Sequence, residues 1–144
     1  MRRRGFTSAD AAGLPILPGL ARPEEVRKGR IDHALRITVR RSRRAYVYPA
    51  RHFASDDPDP DLPAMGQRLR LKRSFDTSRF PRQSRVVLRA LKRYGAIVAD
   101  NGAPWFVSGV PSRRWNNDDL HSLQRVRGSA WEVVDSTRLS RPRR

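Results

Sequence analysis

Three residues carry the chemistry for acid–base work: His33, His52 and Asp100. An imidazole titrates near neutrality, which suits a group that takes and returns a proton. His33 lies in GRIDHALRITV, residues 29–39. The alternation of that stretch places Ile31, His33, Leu35, Ile37 and Val39 on one face of a strand, and Asp32, Ala34, Arg36 and Thr38 on the other. On that geometry Asp32 cannot orient the His33 ring, so its partner is expected from another strand, first of all the segment YVYPARHF that ends near His52. Two readings stay open. His33 is a structural histidine bonded to a neighbouring strand, or a general acid/base lining a cleft. Asp100 precedes Asn101-Gly102, where turn chemistry explains it as well as catalysis does.

The candidate ligand-binding residues are Arg51, Arg68, Arg70, Lys72 and Trp115. In QRLRLKR, strand geometry sets Arg68, Arg70 and Lys72 on one face, roughly 6–7 Å apart. Such a row can follow carboxylates or phosphates along a polymer, or it is simply a solvated face. No aromatic residue interleaves it, as a base-stacking surface would require. Trp105 reads as core. Trp115, after Pro111-Ser112-Arg113-Arg114, is the better candidate for an exposed platform under a sugar ring. The acidic cluster Asp56, Asp57, Asp59 and Asp61 lacks the glycine and distal glutamate of a calcium loop, and two histidines without a third ligand do not make a metal site. There is no P-loop, dinucleotide fingerprint, nucleophile elbow or zinc spacing. No metal and no cofactor are expected.

The elements that must position these residues are of both kinds. Pro23–Gly29 reads as a short helix with acids early, bases late and a glycine stop. Strands are expected at 30–39, 45–50 and 67–73, with the Pro- and Asp-rich loop between the last two. A helix over about 82–94 carries the stripe Val86, Val87, Ala90, Leu91 and Tyr94, and Gly95 ends it. Residues 96–109 read as a hairpin turning at Asn101-Gly102. A second helix over about 117–127 starts at Asn117 as its cap, and AWEVVD is a last strand. The sum is α+β: a mostly antiparallel sheet with two packed helices. It forms one domain over 24–136, between an irregular segment 1–23, in which Thr7-Ser8-Ala9-Asp10 suits a turn cap, and a basic tail 137–144.

The formal charge of +17 favours a polyanion partner: nucleic acid, an anionic membrane surface or an acidic polysaccharide. Of 31 basic residues only Lys28, Lys72 and Lys92 are lysine, a bias that GC-rich codon usage produces equally well. The absence of cysteine excludes disulfides and thiolate metal sites. No apolar run is long enough for a membrane span, and the N-terminal stretch as written lacks a signal-peptide core.

The stretches GFTSADAAGLPILPGLARPEEVRKGRIDHALRITV, AYVYPARHFAS, MGQRLRLKRSFD, ALKRYGAIVADNG and RWNNDDLH, taken together, resemble a module of uncharacterised secreted or cell-surface proteins of actinobacteria and similar bacteria. The resemblance runs from about Gly5 to Ser136. It carries no mechanism, but it implies a secreted or surface location. It also implies a longer protein, with a signal peptide and a further β-rich portion ahead of this segment, so that the fold is incomplete as given. The run Arg40-Arg41-Ser42-Arg43-Arg44 is more basic than the family wording. The expected function is an extracellular module that binds or processes a polysaccharide, neutral or anionic. The alternatives are a nucleic-acid-binding protein that uses Arg40–Arg44 with Arg68 and Arg70, and a structural surface domain without catalytic activity.

Overall fold

The computed structural model describes residues 10–136. The turn cap expected at Thr7-Ser8-Ala9 and the basic tail 137–144 therefore lie outside the described residues. The elements in chain order are α1 (Pro23–Lys28), β1 (Leu35–Val39), β2 (Arg68–Leu71), α2 (Arg82–Arg93), β3 (Ala96–Asn101), β4 (Phe106–Val107), α3 (Asn117–His121) and β5 (Trp131–Val133). The strands form one mixed sheet in the order β4-β1-β3-β2-β5. The central pair β1/β3 is parallel, and the other three pairings are antiparallel. The protein is α+β.

β1 is the most deeply buried strand, with Leu35, Ile37 and Val39 all inside the core. It is shorter than its sequence alternation suggests. Leu35 donates its backbone N–H to Gly95 O at 3.1 Å, and before Gly95 the partner chain is already helix α2. Residues 30–34 thus have no ladder to join, and His33 sits in a bend ahead of the strand. The expected strand 45–50 is likewise absent. One parallel bridge, Tyr46 to Met65, holds this stretch, and the Tyr48–Pro49 peptide is cis.

The expected hairpin 96–109 does not form. β3 and β4 never pair, because they flank β1 from opposite sides. Asn101 ends β3 opposite Val39, Gly102 donates to Val39 O, and the chain crosses the end of β1. A tight Asn-Gly turn would have left one edge of the most buried strand without backbone partners, which is costly in a core. The crossover satisfies both edges.

α2 forms where its apolar stripe requires, with Val86, Val87, Leu88, Ala90 and Leu91 buried. Gly95 stops it with φ 72°, and a Cβ there would lie 2.4 Å from Leu69 O, so only glycine fits. Its N-terminus has no local side-chain cap, since the preceding residue is Pro81. The carboxylate of Asp119, on α3, accepts there from the backbone N–H groups of Gln83 and Ser84, both at 2.8 Å. α3 itself is capped by Asn116 rather than Asn117: the Asn116 side chain accepts from Asp119 N at 3.0 Å. After His121 the chain tightens into a 3-10 turn, Ser122–Arg125, so α-helix does not extend to 127.

The polar side of β1 is anchored differently. Arg36 reaches Asp10 at 3.2 Å and donates to Ser108 Oγ at 2.8 Å, while Asp10 also accepts from Leu14 N. The Asp10 side chain is almost fully buried, so this pair ties the N-terminal segment to the sheet.

Asp119→Ala removes the α2 cap and leaves one buried and one half-buried donor, Ser84 N–H and Gln83 N–H, without an acceptor. A loss of about 2–3 kcal/mol of stability is expected, read from urea unfolding midpoints. Asp119→Asn, which keeps one acceptor oxygen, is expected to cost less.

Candidate functional site

The crossover after β3 carries Trp105 and Phe106 alongside α3, and a groove of about 670 Å³ opens between them. That volume is in the range of small-ligand sites, which are mostly apolar with a few polar groups. Trp105 and Trp115 line it together with Phe106, Leu120 and Leu123; Asn117, His121 and Gln124 supply its polar groups. No lysine or arginine is among its lining residues.

The aromatic residues are held by specific contacts. Trp105 has φ 59°, a left-handed backbone that a bulky residue rarely adopts and that costs on the order of 1–3 kcal/mol. Its N–H is donated to Thr38 O at 3.1 Å, and its ring stacks on buried Trp131 with centroids 5.1 Å apart and planes 18° from parallel. Trp115 donates its indole N–H to Val110 O at 2.7 Å, and its ring closes over Gly109. Phe106, on β4 at the sheet edge, leaves 58% of its surface exposed.

The three acid–base candidates are not in this groove, and they do not share partners. His33 is fixed against α1. Its Nδ1 is 2.8 Å from Ala34 O, its Nε2 is 3.1 and 3.3 Å from the two Glu25 oxygens, and Arg22 Nη1 stands 3.5 Å away. Glu25 also accepts from Arg22 N at 3.1 Å. The partner of His33 is thus a helix residue eight positions earlier, not the segment ending at His52. Once the ring leaves the strand, the alternation that pointed to a neighbouring strand no longer governs it. Asp32 is occupied by Arg30 at 2.9 Å and by the Tyr94 hydroxyl at 3.3 Å. His52 is exposed, with its ring over Gly13. Asp100 accepts from the next backbone N–H, of Asn101, at 2.8 Å.

The cation row is divided. Arg68 donates to Tyr94 O at 3.0 Å, against the C-terminal carbonyls of α2, where a cation complements the helix dipole. Arg70 forms a cross-strand pair with Glu132 at 2.6 Å. Lys72 is exposed and lines a separate hollow. Arg51 is exposed, and its backbone N–H is donated to Ala12 O at 2.8 Å. Of the sequence candidates, only Trp115 lines the groove. Phe106, Asn117, His121 and Gln124 are not among the sequence candidates, because WFVSG reads as a hairpin strand, Asn117 as a cap, and His121 and Gln124 as positions inside the helix expected over 117–127.

The arginine run 40–44 faces the acidic loop. Arg41 pairs with Asp57, Arg43 donates to Pro60 O at 3.4 Å, and Arg44 lies 3.9 Å from Asp56 and over the Phe53 ring. The hydrogen bond from Arg41 holds the Asp57 carboxyl below the usual carboxylate range, helped by the Asp59 backbone N–H. Among the described residues, no group of three or more His, Asp or Glu side chains gathers as metal ligands, and no helix is long and apolar enough to cross a membrane.

A depressed carboxyl stabilises the fold above its unfolded pKa, about 3.9 for Asp, and that contribution disappears as pH falls through the lower folded value. Asp57→Asn is therefore expected to flatten the acid limb of stability against pH below about 4, measured as thermal midpoints across that limb. An unchanged limb would contradict the pairing.

Comparison of the chain with family models, curated proteins and solved structures gives no match.

Proposed function

We propose that the protein is a glycan-binding module whose ligand lies in the groove of Trp105, Phe106 and Trp115. The observation that carries this reading is the composition of the groove: aromatic faces with amides and an imidazole, and no cation. A pyranose ring has one face rich in C–H groups that packs on an aromatic ring, and hydroxyls around its edge that exchange hydrogen bonds with Asn117, His121 and Gln124.

Binding rather than processing is favoured, because none of His33, His52 and Asp100 lines the groove and its one histidine, His121, has no carboxylate beside it among the lining residues. A base would stack on the same rings. A nucleic acid, however, needs cations along its backbone beside the stacking platforms, and the groove lining has none. Arg41, Arg43 and Arg44, engaged by Asp57, Pro60 and Asp56, also weigh against the run 40–44 as a nucleic-acid-binding surface. The resemblance to secreted proteins fits an extracellular ligand of this kind.

Phe106→Ala is the cleanest test, since Trp115 also supports Gly109 and Val110. Affinity for soluble polysaccharides is measured by calorimetric titration with cello-oligosaccharides, xylan and polygalacturonate. A loss of about tenfold or more is expected, with the unfolding midpoint moved by no more than about 0.5 kcal/mol equivalent. Absence of binding to all three, or binding that Phe106→Ala leaves intact, would overturn the proposal.

A further inference from the structure

Lys72 stands just past the end of β2, where the chain leaves the sheet and its N–H is donated to Ala130 O at 2.9 Å. There it meets Arg125 and Arg127 in a hollow of about 410 Å³, with the hydroxyls of Ser74 and Ser129 in the same lining. One acid is present, Asp76. Its carboxylate accepts from Ser78 N at 2.8 Å and makes no ion pair with these three cations among the described residues.

Several cations elsewhere on this arginine-rich surface are matched by acids: Arg30 with Asp32, Arg41 with Asp57, Arg70 with Glu132 and Arg114 with Glu24. Lys72 and Arg127 have no ion pair among the described residues. Arg125 is held in place without one, by Phe80 beneath its guanidinium at 4.7 Å and by long hydrogen bonds from its Nε to Ser122 O and its Nη2 to Arg79 O, both at 3.5 Å. Like charges gathered in a concave site repel unless an anion joins them. The donors are the Lys72 ammonium, the Arg127 guanidinium fork, the remaining N–H groups of Arg125 and two hydroxyls. They suit an anion with several oxygens spread in three dimensions better than a single planar carboxylate.

We infer that this hollow is a binding site for a tetrahedral oxyanion, sulfate or phosphate, either as the free ion or as an ester carried on the glycan. The ester case rests on the groove reading and has a structural basis. Leu123, Gln124 and Val126 line the groove, while the intervening Arg125 and the following Arg127 line the hollow, so one short segment serves both.

The test is calorimetric titration with inorganic sulfate, inorganic phosphate, dextran and dextran sulfate at fixed ionic strength. Lys72→Gln/Arg127→Gln is expected to weaken sulfate and phosphate binding about tenfold or more. Arg40→Gln/Arg89→Gln removes the same charge from exposed positions away from the hollow and is expected to change it less than about twofold. Dextran sulfate that binds more tightly than both free sulfate and dextran identifies the ester as the source; affinity no better than that of free sulfate identifies the free ion. Equal losses in the two double variants, or no saturable binding of either ion, would overturn the site. Phe106→Ala is expected to leave free-ion binding intact, so failure of the groove and failure of the hollow are read separately.

Discussion

The carboxylate of Asp119 joins the two helices on which the groove depends. It occupies the N-terminus of α2, where Pro81 offers no side-chain cap. The link is reciprocal. Ser84 Oγ donates to Asp119 O at 2.7 Å, Ser122 Oγ donates to Ser84 Oγ at 3.0 Å, and Gln83 Oε1 accepts from Asn116 N at 2.9 Å. A helix of five residues is far too short to persist alone in water. α3 exists because its own start and the start of α2 satisfy each other. Leu120 and Leu123 are thereby brought beside Val87 of α2, and that junction makes one wall of the groove.

The other wall follows from the sheet. Burying β1 on both edges sends the chain across its end from β3 to β4, and the crossover carries Trp105 and Phe106 to the side where α3 lies. The left-handed backbone at Trp105 is local strain that stacking on Trp131 and the bond to Thr38 O offset. The groove is thus a product of edge satisfaction and helix capping, with the aromatic rings as its contents. The charge of the chain plays little part in it.

Much of the scaffold was legible in the sequence. The apolar stripe from Val86 to Leu91 and the glycine stops Gly29 and Gly95 rest on local periodicity and backbone sterics, which a single segment displays. Trp115, expected to be exposed because it follows a polar, proline-containing stretch, is half-buried against the core and lines the groove. The failures share one cause. Alternation in GRIDHALRITV describes side-chain character, whereas strand length depends on where the partner strand begins, at Gly95–Ala96 some sixty residues later. Asn101-Gly102 has the chemistry of a tight turn, but which edge β4 pairs with is decided by the needs of β1. Asp119 looks like an ordinary first-turn acid, and only the packed structure shows that it caps a different helix. His33 gained its partner, Glu25, in the same way: by a bend that sequence periodicity does not encode.

The chemistry of the surface divides accordingly. His33, His52 and Asp100 lie outside the groove, several surface arginines pair with acids, and the groove gathers aromatic rings with Asn117, His121 and Gln124. Chemical-shift mapping of the backbone and indole N–H signals during titration with xylan, cello-oligosaccharides and polygalacturonate tests that division most directly. Glycan binding in the groove predicts saturable shifts at Trp105, Phe106, Trp115, Asn117 and Gln124 with at least one of the three, while the signals of His33, His52 and Asp100 stay in place. Shifts centred on His33 or His52, or no saturable shifts with any of the three, would contradict it.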